Sequence, residues 1–96
     1  MTLAELRTTK RAQILTLAER SGARNIRVFG SVARGESDSR SDIDFLVDLD
    51  QGRSLLDLGR LQRALEELLD QKVDVVSARG LREQVRQHVL RDAVPL

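Results

Sequence analysis

The chain predicts a small α/β domain: one mixed sheet of three or four strands with helices packed against one of its faces. Three observations point that way. Its 96 residues, 41% of them hydrophobic, allow a single domain with one core spanning 1–96. Three short apolar runs, at residues 24–30, 42–49 and 72–77, read as strands. The segments before the first, between the second and third, and after the third carry leucines, isoleucines and valines at helical spacing.

The first helix is expected from residue 2 to about residue 20. Thr2-Leu3-Ala4-Glu5 has the Ser/Thr-x-x-Glu form of a capping box. Leu3, Leu6, Ile14, Leu17 and Ala18 fall near one face, and Lys10 and Arg11 interrupt the stripe. Ser21-Gly22 ends it, with Gly22 as the left-handed stop. The first strand follows, with Val28 at its centre and Phe29 facing the other way. Residues 31–34 form a turn or a short helix. Residues 35–41, GESDSRS, are a polar loop of turn formers. Ser41 can bond local backbone there and set the angle at which the next strand begins.

In the second strand the side chains alternate. Ile43, Phe45, Val47 and Leu49 point to the core, while Asp42 and Asp44 share the opposite face. Asp48 and Asp50 continue the polar alternation and are expected to face solvent. Ser54, with Asp57 three residues on, caps a helix to about residue 70. Its apolar stripe is Leu58, Leu61, Leu65 and Leu68. Gly59 weakens its first turns by ~1 kcal/mol relative to alanine. In the third strand Val73 and Val75 face one side, Asp74 and Val76 the other. A last helix over 81–92 turns Leu81, Val85 and Val89 inward, and Pro95 cannot continue it.

The stretch from Gly30 to Asp50 concentrates the chemistry. Two carboxylates roughly 7 Å apart along a strand repel one another unless a cation lies between them. Hard oxygen donors of this kind suit Mg²⁺, which takes one or two carboxylates and completes its shell with waters and phosphates. Gly30 lets backbone approach a phosphate closely. Ser31, opening a short helix, presents N–H groups and a hydroxyl to an anion. Asp74 is an acid among valines, costly in a sheet interior unless paired. If the third strand lies beside the second, Asp74 joins Asp42 and Asp44 in a site for two metals. Otherwise it is an edge-strand acid facing water. Arg34 is close enough to reach a triphosphate.

Charge fits the same picture. Residues 1–35 carry seven Lys and Arg against Glu5 and Glu19, whereas residues 36–50 carry six acids against Arg40. An acidic block in a mildly basic domain is the mark of a cation site or of a solvated acidic loop.

With only Phe29 and Phe45 as aromatics, stacking on nucleic-acid bases is disfavoured, and no direct nucleic-acid binding is expected. The absence of cysteine excludes disulfides and thiolate metal sites and suits a cytoplasmic location. No run has the ~18 apolar residues of a membrane span, and no signal-like segment follows Met1. His88, the single histidine, lies far from the motif and reads as a surface or interface residue. Arg82, Arg86 and Arg91 read as a solvated or partner-facing stripe. No Ser/His/Asp arrangement or Walker-type phosphate loop is present.

Gly30-Ser31, ten residues, then Asp42-x-Asp44 resembles the motif of the polymerase-beta-like nucleotidyltransferases. The fuller string GSVARGESDSRSDIDFLVD is similar to the minimal nucleotidyltransferase (MNT) branch of that superfamily. The resemblance implies catalytic acids and metal ligands at Asp42, Asp44 and Asp74, the third acid lying on the strand after the long helix. It implies nucleotide binding by Gly30, Ser31 and Arg34, two Mg²⁺ ions, and ATP as substrate. It further implies an antitoxin that transfers AMP to a hydroxyl side chain, a tyrosine, of a HEPN-class RNase toxin. The chain shows no residues left over for an acceptor-binding lobe, so the acceptor is expected from another molecule. Two other readings stand beside this one. The chain could neutralise a toxin by contact alone, or modify a small molecule such as an aminoglycoside. The intact acids and Gly-Ser favour an enzyme over the first, and the missing lobe speaks against the second.

Overall fold

The computed structural model of the protein describes residues 1–38 and 40–96; Ser39, in the expected polar loop, lies outside the described residues. In chain order come helix α1 (Leu3–Glu5), a π-helical turn (Leu6–Lys10), α2 (Arg11–Arg20), β1 (Ala23–Phe29), α3 (Gly30–Arg34) and β2 (Ile43–Leu49). Then follow α4 (Leu55–Leu69), β3 (Val73–Ser77), a 3-10 turn (Ala78–Gly80), α5 (Glu83–Asp92) and β4 (Val94–Pro95).

The strands form one mixed sheet in the order β3-β2-β1-β4. β1 pairs antiparallel with β2 and with β4, while β2 and β3 run parallel. A parallel pair needs a long crossover, and α4 supplies it. Ser54 accepts from the Leu56 amide, and Asp57 accepts from the Ser54 amide, closing the expected capping box.

The N-terminal helix is continuous in direction but not in winding. Leu6 and Ile14 are eight residues apart, which in an unbroken α-helix would place them about 80° apart around the axis. The π-turn inserts one extra residue between them. Both side chains therefore reach the same core, each fully buried. Thr8 and Thr9 donate their hydroxyls to the Ala4 and Glu5 carbonyls and occupy acceptors at the irregular turn.

The main core lies between one sheet face and the helices α2 and α4. It brings together Ile14, Val28, Phe45, Leu61, Leu65 and Val73. The inward fourth leucine of α4 is Leu69, with Leu68 half-buried at the edge. Gly59 meets nothing within 4 Å of where a Cβ would stand, so it marks no close packing.

Helices cover both faces of the sheet, not one. Phe45, Leu46 and Val47 are consecutive and all fully buried, so β2 is covered front and back. Leu46 packs with Ala78 and Val89 in a second, smaller core bordered by Phe29, Val76 and Leu81. α5 closes this second face with Val89 alone. Val85, expected inward, is 48% exposed. The helix begins at Glu83 and Leu81 sits before it, so the turn that Leu81 occupies does not carry Val85 toward the sheet.

Other boundaries shift in smaller ways. Asp42 precedes β2 by one residue, and β1 runs from Ala23 to Phe29 with a register slip between Arg24 and Arg27. Asn25 there adopts a positive φ of 53°, as a bulge residue can. The chain after α5 forms a short fourth strand instead of loop: the Leu96 amide donates to Ile26, and Arg7 and Arg11 donate to the Pro95 and Leu96 carbonyls.

Candidate active site

The acids gather where β1 ends and β2 and β3 begin. Phe29 is the register partner of Asp44 across the antiparallel pair, and Asp44 is the register partner of Asp74 across the parallel pair. β3 thus lies beside β2, the arrangement on which the role of Asp74 depends. Alternation puts Asp44 on the face of the second core, next to Leu46, where it is half-buried. Asp74 is exposed, on the edge strand. Asp42 is half-buried just ahead of the strand.

Burial, then the Asp74 charge, then the Asp42 charge push the Asp44 carboxyl up from 3.8 to about 6, against the opposing pull of Arg34. A carboxylate held among like charges and away from water is one that a cation would relieve. Among the described residues no three His, Cys, Asp or Glu side chains close into a ready-made metal cage. The donor set of three hard carboxylates with one exposed member fits Mg²⁺ nevertheless, because that ion draws the rest of its shell from water and phosphate.

Gly30 opens α3 with φ at 72°, a conformation that L side chains rarely adopt. A Cβ at this position would also run into the Asp44 Oδ2. Two independent constraints therefore demand glycine here: the turn itself, and the approach of the carboxylate. The residue preceding α3 is Phe29, whose side chain cannot cap the helix, so its first N–H groups have no side-chain acceptor there. Those donors and the half-buried Ser31 sit directly after the strand end that faces Asp44. The site can hold a cation and a phosphate side by side.

The expected residues divide as follows. Asp74 is the register neighbour of Asp44, Gly30 lies against the Asp44 carboxylate, the Asp42 charge acts on Asp44, and Ser31 adjoins Gly30. Arg34 closes α3, its Nε donating to Glu36 at 3.0 Å and its Nη1 to Asp92 at 2.7 Å. Asp92, at the end of α5, has no counterpart in the sequence reading. It lies 58 residues from Arg34, and no spacing rule connects the two.

Asp48 is not the free solvent-facing acid expected. It is half-buried and takes hydrogen bonds from Arg27 and Asn25, and Asp50 pairs with Arg24. Ser41 bonds locally as expected: its hydroxyl accepts from the Asp38 amide and donates to the Asp38 carboxylate. A concavity of about 370 Å³ lies at the far ends of β1, β2 and β3, lined by Arg24, Asp48, Gln51 and Arg79 among others. Its carboxylate is already paired with Arg27. No helix among the described residues is long and apolar enough to cross a membrane.

Comparison with known proteins gives four consistent findings. The family model for the nucleotidyltransferase domain matches residues 11–94. The protein adenylyltransferase MntA of Thermococcus cleftensis is 42% identical over 94 residues, which is 98% of this chain and 95% of that one. A solved structure provisionally described as a minimal nucleotidyltransferase superposes with a TM-score of 0.87 at 53% identity, covering 100% of this chain and 97% of the other. A toxin–antitoxin crystal structure with AMP-PNP contains a chain that superposes at 0.78 with 25% identity, covering 90% and 71%.

Proposed function

The chain belongs to the nucleotidyltransferase domain family, and from that membership we propose that it moves AMP from ATP to a hydroxyl side chain of a partner protein. The carrying observation is that Asp44 stands in register with Asp74 and against Gly30 at one strand end. The partner class is a HEPN-type toxin and the acceptor a tyrosine, so that the transfer makes the chain an antitoxin. The similarity to MntA and to a chain of a toxin–antitoxin assembly with AMP-PNP supports that choice.

Asp42, Asp44 and Asp74 would hold two Mg²⁺ ions together with the triphosphate oxygens. When bound, Mg²⁺ lowers the pKa of a hydroxyl and offsets charge developing on phosphate. The amides at Gly30 and Ser31, with the Ser31 hydroxyl, bind the β- and γ-phosphates and orient the triphosphate. Arg34 adds a cation at the end of the same short helix. The acceptor oxygen forms a bond to the α-phosphorus, the bond from that phosphorus to the oxygen bridging to the β-phosphate breaks, and pyrophosphate leaves with the bond's electron pair. Asp74, the most exposed acid of the three, takes the hydroxyl proton.

The test is incubation with ATP labelled at the α-phosphate, Mg²⁺ and a HEPN-class toxin protein as acceptor. Label on that protein, with a mass increase of one or more AMP groups on tyrosine, is the expected result. A partner that stays unlabelled yet is neutralised would favour inhibition by contact alone.

A further inference from the structure

We propose that Asp92 is a positioning residue for the nucleotide: it holds the Arg34 guanidinium beside the Gly30–Ser31 turn so that its free edge faces the triphosphate. The inference deepens the nucleotidyl-transfer reading and rests on it.

Arg34 has two carboxylate partners of different kinds. Glu36 is two residues away, with a side chain 65% exposed, and can only follow the arginine wherever it goes. Asp92 is 33% exposed and belongs to another part of the fold. Val89, buried in the second core, fixes its helix from one side. On the other side, the chain enters β4 at Val94, which pairs with Val28 of β1. Asp92 is therefore an anchor, and the 2.7 Å bond to Nη1 ties the end of α3 to it. With Nε and Nη1 so engaged, Nη2 has no protein partner among the described residues. A guanidinium is a rigid planar fork, so fixing two nitrogens fixes the direction of the third. Arg34 ends the five-residue helix that Gly30 and Ser31 begin, so its backbone lies about one turn from the turn against the Asp44 carboxylate.

Two carboxylates on one arginine lower its net attraction for phosphate. The pairs are all at least one-third exposed, however, and screening makes such attraction weak. Orientation is the larger effect because a misdirected fork makes no phosphate bond at all.

The test is calorimetric titration of the full chain with ATP and Mg²⁺, which needs no acceptor. Asp92→Ala and Arg34→Ala are each expected to weaken ATP binding about tenfold, the loss of a hydrogen bond to a charged group. The double variant should be no weaker than Arg34→Ala alone, because Asp92 acts only through the arginine. Asp92→Glu should restore part of the loss. Melting temperature, which a purely structural role would move, should stay within a few degrees. Unchanged binding by Asp92→Ala, additive losses in the double variant, or tighter binding on freeing Arg34 would each overturn the inference while leaving nucleotidyl transfer intact. Failure of the unaltered protein to bind ATP would overturn both. If Asp92→Ala does not fold, Asp92→Asn, which keeps the shape and loses the charge, is read against the same outcomes.

Discussion

Asp44 of β2 stands in register with Asp74 of the parallel neighbour β3, and its carboxylate fills the space that a side chain at position 30 would need. Burial, then the like charges of Asp74 and Asp42, raise its proton affinity, and Gly30, lacking a Cβ, leaves the carboxylate its room. The arrangement costs the fold stability, and a cation bound there as proposed would offset that cost.

Asp44→Asn is therefore expected to abolish AMP transfer, by at least ~100-fold, because a two-metal site loses a central ligand. The same variant should melt at the same or a higher temperature. Transfer by the folded variant at a near-normal rate would refute the site.

The pH dependence of stability has a definite sign. The Asp44 carboxyl is raised from 3.8 to about 6 in the folded state. A raised carboxyl favours the fold below its unfolded value and loses that contribution as pH climbs through the folded one. The full displacement would be about 3 kcal/mol, and screening at a half-exposed group reduces it to about 1 kcal/mol. The gain in melting temperature of Asp44→Asn over the unaltered protein should thus grow between pH 4 and pH 6 and level off above. A difference that is flat with pH would remove both the burial and the repulsion of Asp44 from the account.

Gly30→Ala forces an L side chain to a φ of 72° and against the Asp44 Oδ2. The backbone cost is about 1–2 kcal/mol, several degrees of melting temperature in a domain of this size. Because the clashing atom ends a flexible side chain, the fold should survive with Asp44 pushed aside. Transfer should fall much further than stability, and equal losses in both would argue against a placement role for Gly30.

Mg²⁺ with ATP should raise the melting temperature, by the equivalent of roughly 2–3 kcal/mol at a hundredfold excess over the dissociation constant. Mg²⁺ alone should do far less, since the acids do not form a closed cage by themselves. An equal shift from Mg²⁺ without nucleotide would indicate a structural ion.

Ser54→Ala serves as a contrast. It removes a closed capping box at the start of α4, at a cost of about 1 kcal/mol. Melting temperature should drop by several degrees and ATP affinity should not change. A large loss of affinity would mean that α4 communicates with the site.

From the sequence alone one could read what depends on local spacing. The alternation around Asp42 and Asp44, the glycine at position 30, the Ser54–Asp57 cap and the leucine stripe of α4 are short-range patterns set by strand and helix geometry. They sufficed to place a carboxylate pair beside a Gly-Ser turn. What only the tertiary structure decided is what distant segments do to one another. Strand alternation puts Leu46 on the face of Asp44, and only the fold shows α5 and Ala78 covering that face. The π-turn appears only when Leu6 and Ile14 must share one core. Asp74 becomes a neighbour of Asp44 because α4 returns β3 parallel to β2, in a register that packing and backbone hydrogen bonds select. Asp92 meets Arg34 for the same reason: hydrophobic burial of Val89 brings α5 to the sheet, and the ion pair follows from where the helix lands. Burial is non-directional and acts between residues far apart in sequence, so the contacts it creates leave no local signature.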